Sequence, residues 1–327
     1  MKVKRTILII GMIILLLIPA SFAFSEYDPT TAEQDMKSLV NGMSDLFAKS
    51  LGGMSYVGDP VGYAFIKHFS IGIGGGAVLI PIDNLSFDSS GLDIDFGDLE
   101  YIPIPTASAF AKLSIRRLEI GFKLGGIPQY DVDNFSIHNM ILGGKLRYNI
   151  KSFNLVFIKG GVSAGALFEY MSGGLDYSTS KGYPVYLDVD GTSTHVADVT
   201  TTASLQNSWK AATVGGEAQA YFQVLFLNFF VGSRLSKTFG TADSSITGTA
   251  KLTPVDQEYV VNGLIKEGEL NEGNTVSVTA SNKAPGIEVY GFGGAEFKLF
   301  IFTITARGSY NFIGKTLSAD VGARLQF

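Results

Sequence analysis

The sequence contains no cysteine, three histidines and one tryptophan among its 327 residues. Without cysteine the chain can form neither disulfides nor thiolate metal sites, and it carries no lipid-modified cysteine. Charged residues are also scarce, at 17% of the chain, and the formal net charge is −5. An acidic chain of this kind is a poor candidate for nucleic-acid binding, which depends on clustered lysine and arginine.

Long apolar runs are confined to the amino terminus. Three basic residues precede an apolar run over 7–20, and small residues follow as far as Ala23. This pattern predicts a signal peptide over 1–23 and export of the chain, with a retained membrane anchor as the alternative. The run is shorter than the ~20 residues that a spanning helix requires, and no later segment has 18 consecutive apolar residues.

One amphipathic helix is expected at the start of the mature chain. Apolar residues recur at steps of three and four between 30 and 51, and Gly52-Gly53 is expected to end the helix. We assign 24–61 to this helix and a linker. The helix lies either at the periplasmic rim of the following domain or inside it as a plug.

From residue 62 onward the hydrophobic period is two, which is typical of β-strands. The pattern predicts ten strands, over 68–80, 106–116, 118–128, 137–150, 153–169, 208–225, 228–240, 286–298, 301–313 and 316–327. The connecting segments between the strands are alternately long and short. This is the connectivity of a transmembrane barrel with short periplasmic turns and long outer loops. An even strand number then leaves both mature termini in the periplasm. We therefore predict an all-β fold over 62–327, a ten-stranded antiparallel outer-membrane barrel.

A soluble β-sandwich is the alternative, because its sheets also alternate apolar and polar residues. Two features favour the membrane. The short turns carry aromatic residues where an interfacial girdle belongs, among them Phe226 and Phe300. Closure into a barrel also removes the exposed edges that ten strands would otherwise leave.

The carboxy-terminal strand carries a recognisable pattern, since apolar residues alternate back from the final aromatic residue. It resembles the assembly signal of bacterial outer-membrane barrels, with Phe327, Leu325 and Val321 as its residues. The stretches IPIPTASAFAKLSI, FKLGGIP and MILGGKLRYNIK resemble an uncharacterised outer-membrane family of spirochaetes. This resemblance covers about 60–175 and implies a diderm bacterium, an outer-membrane location and contact with the barrel-assembly machinery.

Charges on the polar face of each strand become lumen residues in a barrel. The predicted set is Lys112, Arg116, Glu119, Lys123, Lys145, Arg147, Lys159, Glu169, Glu217, Arg234, Glu288, Glu296, Lys298, Arg307, Asp320 and Arg324. Two interpretations stand. The charges form a closed ladder of ion pairs, or they line a narrow path with a mild preference for anions.

The four long loops are acidic, with 18 acidic residues against four basic ones. Loops 170–207 and 241–285 are the predicted sites for a small solute or an extracellular partner, and 241–285 is expected to form a hairpin above the membrane. The helix is expected at the periplasmic rim, because its apolar face suits a polar lumen poorly. Trp209 is interpreted as an anchor at the outer membrane interface.

Residues that suggest chemistry are few. His195 lies near Asp188, Asp190 and Asp198, but we expect a solvated loop histidine and no enzyme. Asp88, Asp93, Asp95 and Asp98 offer oxygen ligands for Ca²⁺, but their spacing does not fit a calcium-binding loop, and a solvated acidic loop is the preferred interpretation. We expect no cofactor.

The function predicted from these patterns is a narrow pore or small-solute uptake protein, similar to a porin. The alternative is a closed barrel that acts as a scaffold or adhesin and displays its acidic surface loops.

Overall fold

The computed structural model describes residues 29–56, 68–81, 101–132, 134–189, 192–254 and 274–327. The signal peptide 1–23 and the four candidate calcium ligands lie outside these residues. The described chain consists of one helix and eleven strands. They are α1 (Pro29–Tyr56), β1 (His68–Pro81), β2 (Tyr101–Ile115), β3 (Leu118–Val132), β4 (Phe135–Asn154), β5 (Ile158–Val189), β6 (Thr192–Val224), β7 (Leu227–Pro254), β8 (Asn274–Lys283), β9 (Ile287–Leu299), β10 (Phe302–Asn311) and β11 (Leu317–Gln326).

Ten of the strands form a closed antiparallel ring. Each pairs with its neighbours in chain order, except that β7 is followed in the ring by β9. The ring closes where β1 pairs with β11, from Ser70 opposite Gln326 to Leu79 opposite Leu317. This confirms the all-β fold with its sheet of ten antiparallel strands. The eleventh strand, β8, pairs along the far part of β7, beyond the ring.

The two ends of the barrel differ. At one end, which we call the tight-turn end, the chain reverses at 116–117, 155–157, 225–226 and 300–301. At the opposite end, the long-strand end, β5, β6 and β7 continue far beyond their neighbours and reach 32, 33 and 28 residues. Together with β8 they form a four-stranded sheet on one side, which we call the tall sheet. The predicted loop 170–207 is therefore mostly strand, and so are large parts of 241–285.

The outer surface of the ring is apolar, as the alternation requires. In β11 the exposed positions include Leu317, Val321 and Leu325, whereas Ser318, Asp320 and Arg324 between them are buried. The turn residues Phe226 and Phe300 are exposed at the tight-turn end. Phe327 is exposed beside them, and its backbone exchanges hydrogen bonds of 2.8 and 3.0 Å with Phe69. A role for Phe327 in assembly stays a prediction.

The helix α1 is longer than its pattern predicts, because it continues through Gly52-Gly53 to Tyr56. It also lies at the end opposite to the one expected. It packs on β1, β5, β6, β7 and β8 at the long-strand end of the barrel, not at the tight-turn rim. The helix thus lies away from the tight turns, where the rim position was expected, and it packs among inward-facing wall residues, as the plug alternative describes. Which end of the barrel faces the periplasm stays a prediction.

Candidate functional site

The interior of the barrel is the candidate functional site, and its tight-turn half is filled by charged side chains. Glu217 is central, since its carboxylate accepts hydrogen bonds from Lys145 at 2.8 Å and from Arg147 at 2.6 Å. Arg147 also donates to Glu119 at 2.9 Å, and Glu119 lies 3.1 Å from the ammonium of Lys112. All five side chains are buried. One continuous network therefore runs along the inner wall of the barrel from β2 to β6.

A second cluster lies beside it. One carboxylate oxygen of Glu169 accepts a hydrogen bond from the ammonium of Lys123 at 2.7 Å. The other oxygen accepts one from the guanidinium of Arg234 at 2.6 Å. Arg234 also lies over the ring of Tyr290, 5.8 Å from its centroid. Because the side chains of Arg234 and Glu169 are almost completely buried, each charge relies on the other for the stabilisation that water no longer gives.

A third cluster joins the last three strands, β9, β10 and β11. Arg324 holds Glu296 with two parallel bonds of 2.7 and 3.1 Å, the bidentate geometry that makes arginine–carboxylate pairs strong. Lys298 lies 3.8 Å from the same carboxylate. Arg307 donates to Asp320 at 2.8 Å on the neighbouring strands.

Three of the predicted lumen residues do not belong to these clusters, namely Arg116, Lys159 and Glu288, and Glu288 lies against the helix. Arg116 is exposed in the tight turn between β2 and β3, with a φ of 56°. Its assignment to the lumen is wrong, because the strand ends at Ile115 and the alternation ends with it. Lys159 is half-buried near the tight-turn end of β5. A pore-lining role for the buried charges stays a prediction.

The long-strand half of the interior is apolar instead. The wall residues that point inward there and are buried against the helix include Val78, Ile80, Ile104, Ile141, Met171, Trp209, Ala211 and Ala242. A second group of buried apolar residues continues up the tall sheet, namely Tyr177, Leu205, Ile246 and Val278. The helix meets the first group with its carboxy-terminal half and the second with Leu39 and Val40.

The contact between the helix and the wall is close and specific. The ring of Phe47 stacks on the indole of Trp209 with centroids 5.4 Å apart and planes 9° from parallel. The hydroxyl of Ser44 donates to the backbone carbonyl of Ala242 at 2.6 Å. Trp209 is therefore buried inside the barrel, and its interpretation as an interfacial anchor is wrong.

Glu288 marks the boundary between the two halves. Its carboxylate accepts hydrogen bonds from Tyr290 at 2.8 Å, from Asn311 at 3.1 Å and from the hydroxyl of Thr238. It also lies directly against Gly52 of the helix, where a Cβ atom would collide with the carboxylate. Glycine at this position allows the helix to reach the polar layer, which explains why Gly52-Gly53 does not end it.

The apolar wall was not predicted from the sequence, although the sequence contains a signal for it. In the outer parts of several strands, apolar residues occupy consecutive positions, as in Met140-Ile141-Leu142 and in Val78-Leu79-Ile80. A half-buried strand in a polar-filled barrel alternates, whereas a strand with lipid on one face and a helix on the other is apolar on both. Interrupted alternation therefore indicates where a barrel accommodates a further element.

The histidine candidate lies on a strand, not in a loop. His195 is opposite Tyr186 in the pairing of β5 with β6, and its Nε2 is 2.9 Å from Asp198. Both side chains are substantially exposed. Asp190 lies outside the described residues, and the absence of a catalytic role for His195 stays a prediction.

The described residues contain neither a cluster of metal ligands nor a spanning helix. Within those ranges no group of three or more histidine, aspartate or glutamate side chains could hold a metal ion. No helix in the described part of the chain is both long and apolar enough to cross a membrane.

A ring of ten antiparallel strands with an apolar outer surface and ion pairs inside defines an outer-membrane β-barrel. The family model described as Lsa36-like matches residues 61–327. The chain belongs to this Lsa36-like family, a spirochaete-type family of outer-membrane proteins. The resemblance seen in the sequence is thereby confirmed, and so is the outer-membrane location. A comparison with functionally curated proteins gives no match.

Solved structures similar to this chain are outer-membrane barrels. The attachment invasion locus protein Ail of Yersinia pestis, in complex with a heparin analogue, is 10% identical, covering 80% of this chain and 100% of its own, with a TM-score of 0.26. The translocator domain of the autotransporter NalP from Neisseria meningitidis is 11% identical over 86% and 94%, with a TM-score of 0.28. The Ralstonia pickettii toluene transporter TbuX is 11% identical over 84% and 96%, with a TM-score of 0.23. These values leave the activity of this chain open.

Proposed function

We propose that this protein is a closed outer-membrane barrel that serves as a scaffold, with the tall sheet and the helix presented outside the cell to an extracellular partner. The observation that carries this proposal is the filled interior. Ion pairs occupy one half of the lumen and the helix occupies the other half. The described residues therefore fill the space that an open pore would require. The predicted narrow pore is thus less well supported than its alternative.

The physical argument rests on the size of the barrel. Eight strands enclose a space that their own side chains just fill, and ten strands enclose only a little more. In the tight-turn half, long lysine, arginine and glutamate side chains extend into this space and are buried there in ion pairs. In the other half the room is made by small residues, such as Ala211 and Ala242 on the wall and Ala48, Gly52 and Gly53 on the helix.

The proposed orientation places the tight turns and the carboxy terminus in the periplasm and the long strands outside. Short turns at one end and long extensions at the other support it, because outer-membrane barrels are inserted in this sense. The extensions carry little apolar surface on their outward face, where Ser178, Ser180, Thr202 and Gln206 are exposed. Such a face suits water or a polar partner better than lipid.

The experiment that tests the scaffold uses the absence of native cysteine. A single cysteine is introduced at Thr202 in the tall sheet, and a matched one at Ser152 near the tight-turn end; both positions are exposed. A membrane-impermeant maleimide added to intact cells should label the Thr202→Cys protein and leave the Ser152→Cys protein unlabelled until the cells are lysed. The opposite pattern would reverse the orientation and contradict the proposal.

A pore that opens when the helix withdraws is the second candidate function. It is favoured by one feature of α1, since the ion pair of Lys49 with Asp45, at 2.6 Å, is internal to the helix and does not join it to the wall. A disulfide between Ser44→Cys and Ala242→Cys would lock the helix in place, since Ser44 contacts Ala242 directly. Conductance that appears in the reduced double variant and disappears on oxidation would establish this function, whereas silence in both states would support the scaffold.

A further inference from the structure

The outward face of the barrel changes character where the tall sheet begins. The last residues of the lipid-facing belt on this side are large and exposed, namely Val214, Leu235, Phe239 and Ile287. Lys237 lies within this belt, opposite Val214 and Ile287 in the register, and its ammonium lies near the ring of Phe239. Immediately beyond Phe239 the outward positions carry Lys210 and Lys283, and further along the strands they carry hydroxyl groups. Three chemical layers therefore follow one another on a single continuous surface formed by β5, β6, β7 and β8.

The basic layer consists of three exposed lysines. Lys210 and Lys283 flank Thr241, each opposite it in the strand register. Since neighbouring strands lie about 4.8 Å apart, the backbones of these lysines are separated by about 10 Å. Lys237 lies four residues from Thr241 on β7, towards the lipid belt, with its ammonium 5.0 Å from the ring centroid of Phe239. Within the described residues none of the three takes part in an ion pair.

The hydroxyl layer continues in register above the lysines. One cross-strand row consists of Ser178, Ser204, Thr247 and Ser277, and the row before it of Asp176, Gln206, Ser245 and Thr279. Neighbouring hydroxyls are within hydrogen-bonding distance, as at 3.3 Å between Thr247 and Ser277. Asp243 lies between the lysine row and these rows, two residues from Thr241 on β7, and Asp176 is the acidic residue within the rows.

We propose that this three-layered face binds a phosphorylated glycolipid of the outer leaflet. Its acyl chains would lie along the apolar belt, its phosphates would meet Lys210, Lys237 and Lys283, and its sugars would meet the hydroxyl rows. The argument is one of order, because a glycolipid presents acyl chain, phosphate and sugar in this sequence from the membrane core outwards. Basic residues at the edge of the hydrocarbon region are attracted to lipid phosphates, and hydroxyl groups both donate and accept hydrogen bonds, as sugars do.

The proposal concerns the outward face of the same tall sheet as the scaffold function, and it rests on the same orientation. If the long strands lay in the periplasm, the three lysines would meet inner-leaflet phospholipid instead. The labelling of Thr202→Cys described above decides the orientation without reference to any lipid. A failure of the lipid site is therefore distinguishable from a failure of the scaffold.

The test is binding of diphosphoryl lipid A to the full-length folded protein in detergent, followed by native mass spectrometry. The variant replaces the three lysines together, as Lys210→Gln, Lys237→Gln and Lys283→Gln. Its matched control replaces three exposed lysines elsewhere, Lys151, Lys251 and Lys315, in the same way. We expect the cluster variant to bind lipid A at least tenfold more weakly than the unaltered protein, and the control variant to bind it within twofold.

Two further probes assign the chemistry. Dephosphorylated lipid A should bind the unaltered protein about as weakly as diphosphoryl lipid A binds the cluster variant. Phosphatidylglycerol, which has a phosphate but no sugar, should bind at least severalfold more weakly than lipid A. Equal binding of lipid A by the cluster variant and the control would overturn the proposal. Equal affinity for phosphatidylglycerol would overturn the assignment to a glycolipid.

Discussion

The two halves of the barrel interior solve the same packing problem in opposite ways. Near the tight turns, inward positions carry long charged side chains, and these form buried ion pairs in clusters centred on Glu217, Glu169 and Glu296. Near the long strands, inward positions are apolar, and a helix from the amino-terminal part of the chain fills the space. A barrel whose inward positions are apolar needs an apolar occupant, because that surface would otherwise be wetted.

The difference also separates two kinds of stability. A buried ion pair stabilises the folded state little more than apolar residues of similar volume would. Removing only one partner of the pair is severely destabilising, because the other charge is left buried and unpaired. The apolar half behaves like an ordinary protein core, where the penalty grows with the cavity left behind. Substitutions in the charged half should therefore affect the whole barrel, and those in the apolar half mainly the seating of the helix.

The largest effect is expected from removing the charge of Glu217. Glu217→Gln leaves Lys145 and Arg147 buried without their shared carboxylate, and the free energy of unfolding should fall by about 3–5 kcal/mol. Urea titration of the folded protein in detergent micelles measures this. Asp131→Asn, a change at an exposed carboxylate, is the control. Equal midpoints for the two variants would show that the charged clusters do not hold the barrel together.

A second prediction concerns the boundary between the halves. Gly52→Val places a side chain against the carboxylate of Glu288, so the helix should be forced outwards while the ring of strands stays intact. Limited proteolysis should then cleave within 29–56 many times faster than in the unaltered protein. Gly248→Ala is the control, because nothing lies within 4 Å of a Cβ atom there. Unchanged protection of the helix would contradict its close fit in the lumen.

The third prediction concerns a substitution that weakens the packing of the helix against the barrel wall but leaves the helix in the lumen. Phe47→Ala removes the ring stacked on Trp209, and a buried phenylalanine lost in this way destabilises its local packing by about 3–5 kcal/mol. Since Trp209 is the single tryptophan of the chain, its fluorescence emission should shift to longer wavelength. Lys37→Ala, on the exposed face of the helix, should leave the emission unchanged. A shift of the same size in both variants would argue against the stacked contact.

The smallest effect on the interior is expected from deleting Phe327. Its backbone makes two hydrogen bonds with Phe69, worth about 1–3 kcal/mol together, and its side chain points away from both halves. The assembled variant should therefore keep the tryptophan emission of the unaltered protein, while its yield in the outer membrane falls severalfold. A normal yield of the variant in the outer membrane would show that Phe327 is not part of the assembly signal.

The charged half could be predicted from the sequence and the apolar half could not. Strand alternation fixes which side of β3 or β11 a residue lies on, so that Glu119 and Arg324 could be placed inward from their spacing alone. Arg116 was misplaced because alternation gives no strand boundary. The ion-pair partners were not predictable either, since Glu217 meets Arg147 across the register of β4, β5 and β6.

The position of the helix was missed because the lumen was assumed to be uniform. The apolar face of α1 was judged incompatible with a polar interior, and this reasoning holds for the tight-turn half. It fails for the other half, where Ile141 and Met171 form an apolar wall. The lengths of β5, β6 and β7 were missed for a related reason, since Ser- and Thr-rich segments resemble loops even when they continue a sheet.

The central claim, that the two halves together close the barrel, is tested most directly by the conductance of the unaltered full-length protein in planar bilayers. The filled interior predicts no discrete current steps at any voltage at which the bilayer itself is stable. Reproducible single-channel steps from the unaltered protein, with the helix still protected from protease, would contradict it.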